Sequence, residues 1–288
     1  VVITPQIIKD IVGSQDDFGH EMRVREIVWS IQGAENTHGG TYLDLVTGKP
    51  RQFDFRCILR RDERSIQFAV ECKNLSASAP TVICGIDRSM EEAFHEVIEA
   101  RCGLFKEPNA VLDGAYSLTR RVANSRVYRQ GHFTGKSVIR LKPSNNKDSI
   151  QGYTKTSDAE VYDGWDQALS SAYDVCKSAS EYARKFSKRH FFTVTIPVVV
   201  VPDESLWMLK YDDDGIARSE PCLTDNCPFF VDRGLSITGW NADQKFSLSH
   251  IHFCTLSGFK SLVVSVQDNE ATWLQWFPST LLEKCKEA

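Results

Sequence analysis

The sequence predicts an α/β chain of the α+β kind on three observations: an early stretch of helical period, a meander of three strand-like runs directly after it, and a long helix that leads into an apolar strand. The first helix is read over residues 18–31, "FGHEMRVREIVWSI". There Met22, Val24, Val28 and Ile31 recur at helical spacing, and Gly33 follows as a stop. The strands are "TYLDLV" closing on the turn "TGKP", then "RQFDFRCILR", then "SIQFAVECKNL" beyond the turn pair Asp62 and Glu63. A helix is expected next in "SMEEAFHEVIEARCG", with Ser89 as its cap and Gly103 as its end. The later helix, "GWDQALSSAYDVCKSASEYARKFSKRH", carries acids near its start and bases at its end, as the helix dipole favours. It runs into "FFTVTIPVVVV", where Pro197 implies an edge strand or a bulge. "SLWMLKY" and "SLVVSVQ" read as further strands, separated by the loop "DDDGIARSEPCLTDNCP".

With 288 residues, 42% of them hydrophobic, the chain can bury a sizeable core, and it is read as one elaborated domain over residues 1–288. A net charge of −4 excludes a protein that coats nucleic acid through its overall charge, while leaving room for a local basic surface. Nine cysteines without framework-like spacing read as reduced thiols, hence a cytoplasmic setting. The longest apolar run, broken by threonines and a proline, falls short of the roughly 20 residues a membrane helix needs. No signal-peptide pattern opens the chain, and its first residue is Val1 rather than a methionine, as in a trimmed chain. A soluble protein with no membrane partner is therefore expected.

The strand pair around Asp62 and Glu63 fixes a register. A hairpin centred there opposes Asp54 to Glu71 and Gln52 to Lys73, and puts Phe53, Phe55, Cys57 and Leu59 on one face with Ile66, Phe68, Val70 and Cys72. That face is the expected core. The other carries Gln52, Asp54, Arg56, Ala69, Glu71 and Lys73, with the two carboxylates about 4.5–5.5 Å apart at their Cβ atoms. Like charges so placed repel, unless a divalent cation such as Mg²⁺ bridges them with water completing its shell. On the helical wheel Glu21 falls within the stripe of Val24, Val28 and Ile31, whereas Glu26 lies off it. An inward glutamate needs a partner.

These residues resemble the PD-(D/E)XK nucleases, of the restriction-endonuclease-like fold. The likeness lies in the helix glutamate Glu21, in "TGKPRQFD" ending at Asp54, in "VECKN" with Glu71 and Lys73, and in the order helix, three strands, helix, strand. Phe53 stands where the family name has proline. The resemblance implies an αβββαβ core with a mixed central sheet flanked by helices, formed by about residues 18–75 and 163–201. A long insertion over about 76–162 and a C-terminal extension over about 202–288 would complete the chain. It implies a nuclease that hydrolyses phosphodiester bonds with Mg²⁺ or Mn²⁺, in which Asp54, Glu71, Glu21 and the backbone carbonyl of Cys72 bind the metal. Lys73 would assist the attacking water, making Asp54, Glu71 and Lys73 the catalytic set. DNA is the first partner expected and RNA the second, with a homodimer left open. Two other readings stand beside it: Asp54, Glu71 and Lys73 as a solvated ion cluster on an exposed sheet face, and a nucleic-acid-binding or protein-interaction module that keeps a nuclease-like fold without turnover.

Gln52 and Asn74 flank that site and could contact phosphate. Residues 115–147 hold eight Lys or Arg and no acid, among them Arg120, Arg121, Arg126, Arg129, Lys136, Arg140 and Lys142, with Tyr128 and Phe133 between them. Such a run can follow a phosphate backbone and stack bases, or it can be a surface balanced by acids elsewhere. "GHFTGKS" within it is not a P-loop, because its first glycine is one residue too close and no apolar strand precedes it. Cys222, Cys227, His250, His252 and Cys254 are zinc-capable types at a spacing that is not a structural-zinc signature.

Overall fold

The computed structural model describes residues 3–14, 17–44, 47–75, 78–107, 110–145, 147, 149–156, 159–182, 190–238 and 243–286. The fold is α+β, a large mixed sheet flanked by helices. In chain order its elements are α1 (Pro5–Ser14), α2 (Asp17–Ser30), β1 (Glu35–Leu43), β2 (Pro50–Arg61), β3 (Arg64–Cys72), β4 (Thr81–Asp87), β5 (Phe94–Glu107), β6 (Ala110–Ala123), β7 (Phe133–Pro143) and β8 (Tyr153–Thr156). There follow α3 (Ala159–Tyr182), β9 (His190–Val201), β10 (Leu206–Lys210), β11 (Cys222–Leu223), β12 (Asn226–Thr238), β13 (Asp243–Thr255), α4 (Leu256–Asp268), α5 (Glu270–Trp276) and α6 (Ser279–Lys286).

The main path of the sheet runs β1-β2-β3-β9-β13-β12-β7-β4-β10-β11, with β5 joined to β6 and β9, and β8 to β7. Strands from residues 76–162 and from 202–288 thus enter the same sheet as β1, β2, β3 and β9. The β2–β3 hairpin has the register expected from its turn, from Phe55 opposite Val70 to Arg61 opposite Arg64. Asp62 takes a left-handed φ of 52° at the turn, a conformation that aspartate tolerates. Along β2 burial alternates and Phe53, Phe55, Cys57 and Leu59 are covered, whereas β3 is buried at every position.

Strand β9 lies in the middle of the sheet, parallel to β3 and β13 and antiparallel to β5. The edge position or bulge expected from Pro197 is therefore wrong, and the ladder shows how a central strand tolerates the proline. Phe192 N–H donates to the Glu63 carbonyl and the Val200 carbonyl accepts from Lys73 N–H, so even-numbered residues bond toward β3. Pro197 presents its nitrogen to the opposite side. There the β5 pairing ends at Thr193 and the β13 pairing begins at Val198, so the missing donor falls in the junction.

Two apolar layers sandwich this strand. Val24 and Val28 of α2, Phe259, Val263 and Val266 of α4, and Trp273 and Trp276 of α5 pack on Val194, Ile196, Val198 and Val200. On the other face Ala168, Leu169, Ala172, Tyr173 and Cys176 of α3 pack on Ala69, Val199 and Val201.

Two further expectations are corrected. Residues 89–103 do not form a capped helix: from Phe94 onward they are β5, held between β6 and β9. "SLVVSVQ" is not a strand but part of α4, whose N-cap Thr255 accepts the Gly258 N–H and which buries Phe259, Val263 and Val266 at helical spacing. Helix α3 begins earlier than expected, and residues 183–189 of the anticipated helix lie outside the described residues. Among the described residues, no helix is long and apolar enough to cross a membrane. Cys57, Cys72, Cys84, Cys176, Cys222, Cys227 and Cys254 are free thiols.

Candidate functional site

The site forms where β2 and β3 part. Their ladder stops at Phe55 and Val70, and the next acid, Asp54, turns its Oδ2 to accept the Cys72 backbone N–H at 2.7 Å. Glu71 points to the α3 face of the sheet and is 4% exposed. Lys73, two residues on and therefore on the same face, places Nζ 3.0 Å from Glu71 Oε1. Its other partner comes from α3, where Gln167 Oε1 accepts from Nζ at 3.2 Å.

Helix α3 approaches this closely because of Gly164. A Cβ there would lie 2.8 Å from Lys73 Cε and 2.9 Å from Cγ, so the lysine stem crosses the helix where there is no side chain. Tyr42 of β1 donates its hydroxyl to the Gln167 carbonyl at 3.3 Å, tying the same turn of α3 to the edge of the sheet. Beside it Arg56 is paired with Asp174 at 2.8 Å, which fixes the next turns.

Helix α2 brings the third acid. His20 is fully buried and its Nε2–H donates to the Val200 carbonyl at 3.0 Å, the same oxygen that accepts the Lys73 N–H. One carbonyl of β9 thus anchors both the start of α2 and the end of β3. The neighbouring Glu21 is half-buried, within electrostatic reach of Asp54 and Glu71, and accepts from His38 Nε2 at 2.6 Å.

The electrostatics of the group are unbalanced. Burial raises the Asp54 carboxyl, the Cys72 N–H opposes that, and Glu21 adds to it. Burial and then the charge of Asp54 push Glu71 up to about 8 against the pull of Lys73. Burial works to lower Lys73, but Glu71, Asp54 and Asp17 outweigh it and hold the ammonium above its ordinary range. Burial followed by Asp54 and Glu71 likewise raises the Cys72 thiol, and burial with Glu71 lifts Tyr42 to about 12. The surplus is negative, and one lysine does not offset it.

Each carboxylate is turned to a protein partner: Asp54 to an amide, Glu71 to Lys73 and Glu21 to His38. Accordingly, among the described residues no three His, Cys, Asp or Glu side chains stand in an arrangement that could hold a metal ion. Glu21, Asp54 and Glu71 remain the oxygen donors a hard cation would need, and their mutual repulsion is what such a cation relieves. As donor types these carboxylates are the ones Mg²⁺ or Mn²⁺ would take, while in the structure each is turned to a protein partner.

The structure therefore gathers Glu21, Asp54, Glu71, Cys72 and Lys73 at one end of β3. Of the flanking residues, Gln52 is exposed on β2 opposite Thr41, and Asn74 is half-buried just after β3. The basic run is not gathered. Arg120 is paired with Glu99 at 2.5 Å, and Arg121 lies over the Phe94 ring at 3.5 Å. Arg126 and Arg129 are exposed in the loop between β6 and β7, Lys136 is paired with Glu92, and Arg140 is buried on β7. Strand β7 is separated from β3 by β9, β13 and β12. Tyr128, expected as a stacking ring, is buried against His250 with centroids 3.7 Å apart.

Of the zinc-capable types, Cys222 is exposed on β11 while Cys227, His250, His252 and Cys254 are buried along β12 and β13. The imidazoles are used by the protein: His250 by Arg88, and His252 by Tyr128 and Asn226.

His38, Gly164 and Gln167 were not singled out from the sequence. Gly164 stood at the start of the expected helix, and only the earlier beginning of α3 places it within one. The chain matches no protein-family model, and neither a curated protein nor a solved structure is measurably similar to it.

Proposed function

We propose that the protein is a divalent-metal-dependent nuclease of the PD-(D/E)XK class, acting on DNA in the first place and on RNA in the second. One observation carries this reading: a half-buried carboxylate, Asp54, and a buried one, Glu71, repel each other beside a lysine that Glu71 and Gln167 hold in place. A purely structural sheet gains nothing from that arrangement. The element order α2, β1, β2, β3, α3, β9, with β3 and β9 parallel and adjacent, supports the αβββαβ core of that class.

In this reading Glu21, Asp54, Glu71 and the Cys72 carbonyl hold the cation, which when bound makes water acidic and offsets charge on the scissile phosphate. Lys73 presents a fixed positive charge to the phosphate or to the attacking water. Gln167 keeps Nζ from folding back wholly onto Glu71, and Gly164 lets the lysine stem lie flat. Burial of Glu71 excludes solvent from the acid pair, which strengthens each of these interactions.

A second reading is favoured by a different observation, namely that every carboxylate already has a protein partner. It makes the chain a binding module that keeps the arrangement without turnover. Cleavage of supercoiled, linear and single-stranded DNA and of RNA, with Mg²⁺ or Mn²⁺, separates the two. The nuclease reading expects metal-dependent cutting that Asp54→Ala and Lys73→Ala each reduce by on the order of 10²-fold or more. Absence of cutting on all substrates by folded wild-type protein selects the module.

A further inference from the structure

His38 has no role in the reading above, yet it is the sole hydrogen-bond partner described for the Glu21 carboxylate. A carboxylate can only accept, so the imidazole donates from Nε2, and the bond goes to Oε1 at 2.6 Å. Among the described residues, no hydrogen bond reaches the second oxygen, Oε2. The ring that donates is itself held. His38 lies opposite Phe55 across the β1–β2 ladder and stacks on it with centroids 4.6 Å apart and planes 17° from parallel. Trp29 closes on the imidazole edge-on at 6.3 Å. Phe55 is fully buried and is the residue next to Asp54, so a rigid path runs from the core through Phe55 and His38 to Glu21.

Without that path Glu21 would be a glutamate at the rim of a helix, 22% exposed and free to change rotamer. Ordering such a side chain when a cation arrives costs free energy that a pre-set carboxylate has already spent.

We propose that His38 is a positioning residue that orients the Glu21 carboxylate for divalent cation binding. This rests on the metal-site reading above. It contacts neither substrate nor metal in this role; it acts through Glu21, as a partner behind a ligand does elsewhere.

The test is a titration of the full chain with Mn²⁺ or Mg²⁺, followed through the unfolding temperature, which rises for any ligand specific to the folded state. His38→Phe keeps a ring to stack on Phe55 and removes the donor. The expected result is an affinity lower by about 10–100-fold, little change in the metal-free unfolding temperature, and recovery of most of the affinity in His38→Gln, which keeps an N–H donor. In a Glu21→Gln background, His38→Phe should change nothing further.

Wild-type affinity in His38→Phe, alongside loss of binding in Asp54→Asn, overturns the role of His38 and leaves the metal site standing. No stabilisation of the wild type by either ion overturns both. If His38→Phe does not fold, His38→Asn, too short to reach Glu21, is compared with His38→Gln. Tighter binding by His38→Gln supports the proposal and equal affinities overturn it.

Discussion

Glu71 and Glu99 are both buried glutamates on strands that border β9, and each has a cation within ion-pair distance, yet their surroundings act in opposite directions. Burial disfavours the Glu99 carboxylate, but His190, Arg120 and Arg101 outweigh it and bring the group down to about 2. Around Glu71 burial is reinforced by Asp54, one lysine opposes them, and the group stands at about 8. Glu99 is the centre of a closed structural cluster in which positive charge is in surplus. Glu71 sits in a cluster left negative, and on the proposed reading a divalent cation offsets that surplus.

The largest effect expected from this contrast is on stability. Glu99→Gln leaves Arg101, whose side chain is 1% exposed, buried without its carboxylate, and should cost about 3–5 kcal/mol in chemical denaturation. Glu71→Gln in metal-free protein replaces a carboxyl that the fold already holds largely protonated near neutral pH, and should cost no more than about 1 kcal/mol, or stabilise. Equal losses in the two variants break the comparison.

The pH dependence sharpens it. Glu71 is raised in the folded state from an ordinary 4.5 to about 8, so the native protein binds the extra proton between those values and the group's contribution declines as pH rises from about 4.5 through 8. Glu99 is depressed from 4.5 to about 2, so its contribution is full above 4.5 and is lost as pH falls toward 2. Stability measured across pH should therefore lose its decline toward pH 8 in Glu71→Gln and part of its acid limb in Glu99→Gln. The reverse assignment contradicts the account.

Gly164→Ala probes the site more gently. The three atoms nearest its new Cβ all belong to the flexible Lys73 stem, and alanine favours the helix by about 1 kcal/mol, so stability should change by no more than that. Displacing the lysine by about 1 Å should lower the cleavage rate by up to about 10²-fold. A variant as active as wild type would show that the fit of Lys73 against α3 is dispensable.

Part of this was legible in the sequence for a local reason. Asp54, Glu71 and Lys73 belong to one hairpin, whose turn at Asp62 and Glu63 sets the register without reference to the rest of the chain. Glu21 followed from helical period, and its neighbours Val24 and Val28 are buried. The partners that hold these groups were not legible, because they come from distant segments: Gln167 from α3 and His38 from the strand at the sheet edge.

Strand β5 was misread for a related reason. From Phe94 to Arg101 it is covered on both faces, so burial there has no period of two, and Glu99 finds Arg120 and His190 only through tertiary pairing. In α4 the valines of "SLVVSVQ" suggested a strand, while the cap Thr255 and the buried Phe259 that make it a helix lie upstream of that window. The hairpin of β12 and β13 was not anticipated at all.

The most direct test of the central claim is calorimetric titration of Mg²⁺ into the wild type and Glu71→Gln near pH 7, in two buffers of different ionisation enthalpy. The account predicts saturable binding by the wild type with release of protons, because the cation ionises a carboxyl that the fold holds partly protonated, and loss of both binding and release in Glu71→Gln. Binding that survives unchanged in Glu71→Gln, or no saturable binding by the folded wild type, would contradict it.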